Sequence, residues 1–245
     1  LKKIKTKIIS IKNNKIIKKN MNEARNNRYN AITKYCNNEN ILHLFVGHNF
    51  DDNLETFLNR KIAGSDFEGL NSISENVVKN KINILRPLIF YHKKSIYSFN
   101  KINNIFFVED QSNLDFKYTR PIIRSFLNSS IKILQIAKND FKKIHKVMPF
   151  YKFMINNFLI KNLAYFDENI IKFNYQNLVN ADKIVIEKII KKNYSFFFKN
   201  LKQIRSKKVE ILVEKLLKKN FNKFNLGGMI VKKENKLLIF SAKSL

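Results

Sequence analysis

Apolar positions follow two regimes along this chain. Up to about residue 132, short apolar runs alternate with stretches of helical period; beyond it, long helical periods take over. Residues 1–11 space Ile4, Ile8, Ile9 and Ile11 among lysines and predict a strand before a Lys-Asn-Asn turn. Residues 22–36 predict a helix, with Ala24, Arg28, Ile32, Tyr35 and Cys36 recurring at its period. The run 41–46 stops at Gly47; it is too short for a helix and suits a strand buried on both faces. Leu54, Phe57, Leu58 and Ile62 then form one helical stripe. Residues 82–85 and 105–108 predict two more buried strands, separated by a helix over 93–104 that turns Ile96, Phe99 and Ile102 inward. Strands alternating with helices at this spacing predict a parallel sheet with crossover helices.

The second regime predicts helices over 140–159, bent near Pro149, over 181–192, and over 206–219. The last carries Val209, Leu212, Val213, Leu216 and Leu217 in one stripe behind a Ser206 cap. Residues 226–240 predict a hairpin opened by Gly227-Gly228, with Glu234-Asn235 near its turn. The expected fold class is therefore α/β: a parallel-sheet region over 1–132, a helical region over 133–200, and a small basic α+β region over 201–245 ending in the hairpin.

Composition sharpens this picture. With 44% hydrophobic residues the 245-residue chain can bury a real core, so general disorder is excluded. Lys and Arg number 47 against 19 acids, a formal charge of +28, which favours a polyanionic partner and nucleic acid first. Lys, Asn and Ile dominate throughout, as AT-rich coding makes them, so charge alone supports RNA binding without proving it. A lone cysteine, Cys36, excludes an intramolecular disulfide or a Cys-pair metal site. His43, His48, His92 and His145 lack metal-ligand spacing. No run approaches the ~20 apolar residues of a membrane span, and lysines interrupt any signal-peptide pattern at the start. A reducing, cytoplasmic setting is the expectation, with no membrane partner.

The chemistry concentrates in His48-Asn49-Phe50-Asp51-Asp52-Asn53-Leu54-Glu55-Thr56, at the carboxyl end of the predicted strand 41–46. Open α/β sheets bind their ligands there. Asp51 and Glu55 share a helix face, while Asp52 points roughly 100° away. Two readings stay open on these residues alone: the carboxylates hold a cation or an ammonium group, or Asp51 caps the helix and Asp52 complements its dipole. Arg25 and Arg28 lie on one helix face beside Tyr29, a pair suited to clamping phosphate or stacking on a base, or simply to surface salt bridging. Two of the five glycines, Gly64 and Gly69, mark a loop over 63–70. Arg120 and Arg124 stand one helical turn apart after a polar loop.

Taken in order, these motifs resemble the tRNA(Ile)-lysidine synthetases of the PP-loop ATP pyrophosphatase family. Ala24-Arg25-Asn26-Asn27-Arg28-Tyr29 matches that family's Ala-Arg-x-x-Arg-Tyr helix, and the 48–56 block matches its His-His-x-Asp-Asp-Gln-x-Glu-Thr. Ala63-Gly64-Ser65-Asp66-Phe67-Glu68-Gly69-Leu70 matches Arg-Gly-Ser-Gly-x-x-Gly-Leu, with alanine and aspartate at two of its positions. Arg86-Pro87-Leu88, Asp110-Gln111-Ser112-Asn113 and Tyr118-Thr119-Arg120-Pro121-Ile122-Ile123-Arg124 match three further elements. The family's nucleotide signature, Ser-Gly-Gly-x-Asp-Ser, is nowhere in these 245 residues. The expectation is thus an incomplete, Rossmann-like PP-loop domain, truncated at its amino terminus, without its first strands and phosphate loop.

The resemblance implies an ATP-dependent ligase that joins free L-lysine to carbon 2 of the wobble cytidine of tRNA(Ile) with a CAU anticodon, through an adenylated base. It implies His48, Asp51, Asp52 and Glu55 as the catalytic set, with the three carboxylates binding lysine. Arg25, Arg28, Arg86, Arg120 and Arg124 are the implied RNA contacts, and Asp51 or Asp52 the Mg²⁺ ligand beside ATP. The fragment itself is expected to be inactive without the phosphate loop. The alternatives are a non-catalytic basic RNA-binding fragment and another PP-loop tRNA-modifying enzyme; a thiolating one would need more than Cys36.

Overall fold

The computed structural model describes residues 5–10, 21–108, 119–198, 204–218 and 221–242. Two compact units divide the chain, residues 1–146 and 147–245.

In the first unit, α1 (Met21–Asn38) leads to β1 (His43–Phe45) and then α2 (Phe50–Ile62). A hairpin of β2 (Asn76–Lys79) and β3 (Ile82–Leu85) follows, then α3 (Lys93–Ile102), α4 (Thr119–Asn128) and the first half of α5 (Ile131–Asn162), whose residues from Val147 on belong to the second unit. The sheet order is β1-β3-β2, with β1 parallel to β3 (His43 opposite Asn83) and β2 antiparallel to it. The hairpin turn places Asn80 and Lys81 at positive φ, 51° and 67°, as a two-residue type I′ turn requires. Asn80 is held to α1, its Nδ2 donating to the Thr33 hydroxyl at 3.0 Å and its carbonyl accepting from Asn37 at 3.1 Å. Leu54 and Phe57 from α2 pack with Ile123 and Leu127 from α4 and Ala137 and Phe141 from α5. This core fixes the start of α2 against α4, and so fixes the candidate site.

The helices over 22–36 and 93–104 and the strand over 82–85 form as expected, but Phe99 and Ile102, expected to face inward, are 60% and 80% exposed; three other expectations change. The 41–46 strand exists, but as an edge among the described residues: there only one side of β1 is paired, and Leu42 and Phe45 are 64% and 66% exposed rather than buried. Residues 105–108 form no strand; they have no ladder partner among the described residues, and Phe106 and Val108 are largely exposed. Residues 5–10 are likewise not in a strand, and the rest of the 1–11 segment lies outside the described residues. The strand β2 went unpredicted because Val77-Val78 is too short a run to show a period, and its antiparallel pairing makes the sheet mixed. Residues 109–118, including Asp110-Gln111-Ser112-Asn113, lie outside the described residues.

The second unit contains β4 (Leu163–Phe166), β5 (Ile170–Asn174), α6 (Tyr175–Val179), α7 (Lys183–Phe197), α8 (Ser206–Leu216), β6 (Lys223–Leu226), β7 (Met229–Glu234) and β8 (Leu237–Ala242). The predicted hairpin is β7–β8, turning at Asn235 (φ 52°), and it belongs to a five-stranded antiparallel sheet ordered β4-β5-β8-β7-β6. Alternating positions of β5, β7 and β8, among them Phe173, Val231, Leu238 and Phe240, face Ile186, Ile189 and Ile190 of α7 and Val209, Leu212, Val213 and Leu216 of α8 in one core. Ser206 is not the cap of α8: Arg205 holds that position, with no side-chain capping bond. By contrast Asp182 caps α7, accepting from the Ile184 N–H at 2.8 Å. The helix predicted from Asp140 starts earlier, at Ile131, and runs on through Pro149.

Candidate active site

The site begins with the cap of α2. Asn49 accepts a hydrogen bond from the Asp52 N–H on its side-chain oxygen, and Asp52 accepts one from the Asn49 N–H, each 3.1 Å. This reciprocal capping box satisfies two backbone donors at once. Asp52 is therefore part of the helix start, as the structural reading of the sequence allowed, but Asp51 is not its cap. Asp51 turns to α3, where its Oδ2 accepts the Lys93 N–H at 2.6 Å and its Oδ1 lies 3.4 Å from His92 Nδ1. The first turn of α3 has no acid of its own and carries Lys93 and Lys94, so Asp51 supplies the negative charge that a helix N-terminus favours.

Glu55, one turn on, is 3% exposed. It is held by Arg124 of α4, with Nε donating to Oε1 at 2.6 Å and Nη2 to Oε2 at 3.2 Å. Asp51, Asp52, Glu55 and Arg124 line one cavity of about 560 Å³, together with Lys93 and Tyr97 of α3. The carboxylate cluster thus faces a cavity, with one member neutralised by arginine and two half-exposed.

His48 precedes the cap. Its Nδ1 is buried without a hydrogen-bond partner, and burial pushes its pKa below the ordinary 6.5. Asp52 opposes that shift, while Arg86, Arg25 and Arg120 reinforce it, so these three arginines share one electrostatic neighbourhood with His48. Arg86 is 6% exposed, donates from Nη1 to the Ser74 carbonyl at 2.8 Å, and leaves its Nε unpartnered. Arg25 and Arg28 flank the buried Tyr29 ring at 5.7 and 6.0 Å, and Lys79 approaches it at 5.4 Å. Arg120 is exposed near the start of α4.

The 63–70 loop is tied back to α2. Arg60 donates from Nη1 to the carbonyls of Gly69 (2.7 Å) and Ser72 (2.9 Å), and buried Asn53 accepts the Ile73 N–H at 2.8 Å. Asp66 closes the loop on itself, accepting from the Gly69 N–H at 2.9 Å. Among the described residues, no three His, Cys, Asp or Glu side chains gather as a metal cage.

Sequence reasoning missed His92, Lys93, Lys94, Tyr97 and Lys138, whose Nζ lies 3.4 Å from His92 Nε2. One signal was available: paired lysines opening a helix with no acid call for an anion from elsewhere in the fold.

The model of the PP-loop domain matches residues 2–131, more than half of the chain. The chain belongs to the PP-loop family. Its similar curated relatives carry the name tRNA(Ile)-lysidine synthase. The protein of Wolbachia pipientis wMel is 38% identical over 108 residues, 44% of this chain and 25% of that one. That of Francisella tularensis subsp. holarctica (strain OSU18) is 35% identical over 172 residues, 69% and 42% of the two chains. That of Buchnera aphidicola subsp. Schizaphis graminum (strain Sg) is 33% identical over 219 residues, 86% and 47%. The chain spans between about a quarter and a half of the length of these PP-loop relatives. Among the described residues, no helix is long and apolar enough to cross a membrane.

Proposed function

We propose that the whole protein ligates free L-lysine to carbon 2 of the wobble cytidine of tRNA(Ile) with a CAU anticodon, forming lysidine. The observation that carries this reading is the cavity where Asp51, Asp52 and Glu55 meet beside Arg124. A lysine ligand brings an ammonium group that needs carboxylates, and an amine that must lose a proton before it attacks. Asp51 and Asp52, half-exposed, are the groups assigned to hold the ammonium and take the proton. Glu55 holds Arg124 at the cavity wall, and the arginine offsets its negative charge there.

In the first step the oxygen on carbon 2 of cytosine attacks the α-phosphorus of ATP, and pyrophosphate leaves. In the second the lysine amine attacks carbon 2, the carbon–oxygen bond breaks, AMP leaves, and the amine proton passes to a carboxylate. Negative charge grows on both leaving groups, and His48 with Arg25 is assigned to offset it. His48 is kept neutral by burial, so it serves as a hydrogen-bond donor rather than a fixed cation. The target base must leave its stack to reach the cavity. Arg28, Arg86, Arg120 and Arg124 are assigned to RNA, with Arg86 acting from behind the surface. Mg²⁺ binds most often through one or two carboxylates and substrate phosphates rather than a protein cage, and Asp51 with Asp52 fits that mode. There it would neutralise phosphate charge on ATP.

The test is transfer of labelled lysine to transcribed tRNA(Ile) by the full gene product. ATP- and lysine-dependent change at the wobble base supports the reading. Salt-sensitive tRNA binding with the base unchanged leaves the second reading, a basic RNA-binding module, which the charge of +28 favours. The 245 residues themselves lack Ser-Gly-Gly-x-Asp-Ser, so calorimetry on this chain should find weak ATP binding. Micromolar affinity would overturn that expectation.

A further inference from the structure

A second cavity, of about 230 Å³, opens in the carboxyl-terminal unit between the end of α5, the β4–β5 hairpin and α7. Buried Phe173 of β5 lines it. Phe166 of β4 and Phe196 of α7 also line it, with ring centroids 5.1 Å apart, planes tilted by 55°, and both rings about half exposed. Asn193 on α7 lines the same cavity and is 5% exposed, yet its Nδ2 has no hydrogen-bond partner. A buried amide donor without an acceptor costs stability, and almost every such group in a folded protein is satisfied. Neither the core packing nor the candidate active site uses this one.

We propose that this cavity receives a single unpaired nucleobase of the bound RNA, stacked against Phe196 and Phe166, with a carbonyl oxygen or ring nitrogen of the base accepting from Asn193 Nδ2. The proposal rests on the RNA-directed reading above. Three features select this ligand. The donor demands an acceptor, and every base edge offers one. The walls are apolar and aromatic, suited to a flat π-face, and base–aromatic stacking is tolerant of sequence. The cavity is smaller than a drug-sized site and takes one ring system. Charge agrees: residues 147–245 hold twenty Lys and Arg against seven acids, and Lys192, next to the amide, reaches the cavity lining. A base arrives with its phosphodiester, which such a surface attracts.

The experiment measures binding of the full chain to two RNA probes at fixed salt, by fluorescence anisotropy: a stem–loop with an unpaired loop and a fully paired duplex of equal length. Phe196→Ala and Asn193→Leu are compared with the unaltered chain. Both substitutions should weaken stem–loop binding about tenfold and leave duplex binding within twofold. Asn193→Leu should also melt no lower than the unaltered chain, since it removes an unsatisfied buried donor. Equal affinity of Phe196→Ala and the unaltered chain for the stem–loop overturns the proposal, as it would if the cavity held a protein side chain. Parallel losses on both probes overturn it too, because they report charge or folding rather than a base. If the unaltered chain binds neither RNA, it is the RNA-directed reading that fails.

Discussion

Arg124 of α4 grips Glu55 of α2 with two nitrogens, at 2.6 and 3.2 Å, and the carboxylate is 4% exposed while the guanidinium is 30% exposed. The pair joins two helices beside the cavity. Truncating the arginine strands a buried charge, so Arg124→Ala should cost about 3 kcal/mol, the low end for a buried pair because Arg124 is partly solvated. Arg124→Lys should recover only part, since one ammonium cannot reproduce a two-pronged donor. Urea denaturation checks both; an unchanged midpoint in Arg124→Ala would show that Glu55 carries no locked charge.

Asp51 serves α3 through the Lys93 N–H and also faces the cavity. Asp51→Asn keeps the shape and loses the charge. In the full gene product it should lower lysine transfer at least a hundredfold with tRNA affinity within twofold, and lower stability by only about 1 kcal/mol through the weakened helix N-terminus. Steady-state ligation and a filter-binding isotherm separate the two effects. Retained transfer would remove Asp51 from the reaction.

How much of this was legible in the sequence varies with the physics at each residue. The start of α2 was readable because a capping pattern and an apolar stripe, Leu54 with Phe57, are both local signals. The cavity-lining acids were readable for the same reason. Burial of β1 was not, because exposure of Leu42 and Phe45 depends on what pairs beside the strand, and that is a tertiary fact. The contribution of His92 and Lys93 was hidden likewise: 41 and 42 residues separate them from Asp51. In the second unit β4 and β5 went unpredicted within a region expected to be helical, since Leu163–Phe166 is too short to display a period before its partners assemble.

His48 gives the protein a pH dependence whose sign follows from its burial. Its folded-state pKa lies below the ordinary 6.5, so as pH falls through that value the unfolded chain takes up the proton first. Stability from this group is therefore complete above about pH 6.5 and is lost on acidification, until the folded protein also protonates. The readout is the difference between the unaltered chain and His48→Gln. Thermal melts from pH 5 to 8 should show the two curves parallel above pH 7 and the unaltered chain losing more below 6.5. Parallel curves throughout would mean that His48 is solvated.

Gly227 makes the turn between β6 and β7 at φ +60°, where a side chain is strained, and a Cβ built there would sit 3.0 Å from the Tyr194 hydroxyl oxygen. That hydroxyl donates to the Gly227 carbonyl at 3.4 Å, and the Tyr194 ring lies in the core of the second unit, 4% exposed. The ring therefore cannot retreat without disturbing α7. Gly227→Ala should cost about 1–2 kcal/mol, from the backbone alone about 1 and from the contact the rest. Gly47→Ala is the control, since no atom lies within 4 Å of its built Cβ and its φ is not in the left-handed region. Denaturation midpoints should move for Gly227→Ala and stay within error for Gly47→Ala. Because the two glycines lie in different units, near-ultraviolet circular dichroism adds a second readout. The loss in Gly227→Ala should track the tyrosine signal of the second unit, and equal losses in both variants would show that neither the left-handed φ nor the Tyr194 contact sets the cost, because the unfolded-chain entropy of Gly→Ala acts in the opposite, stabilising direction.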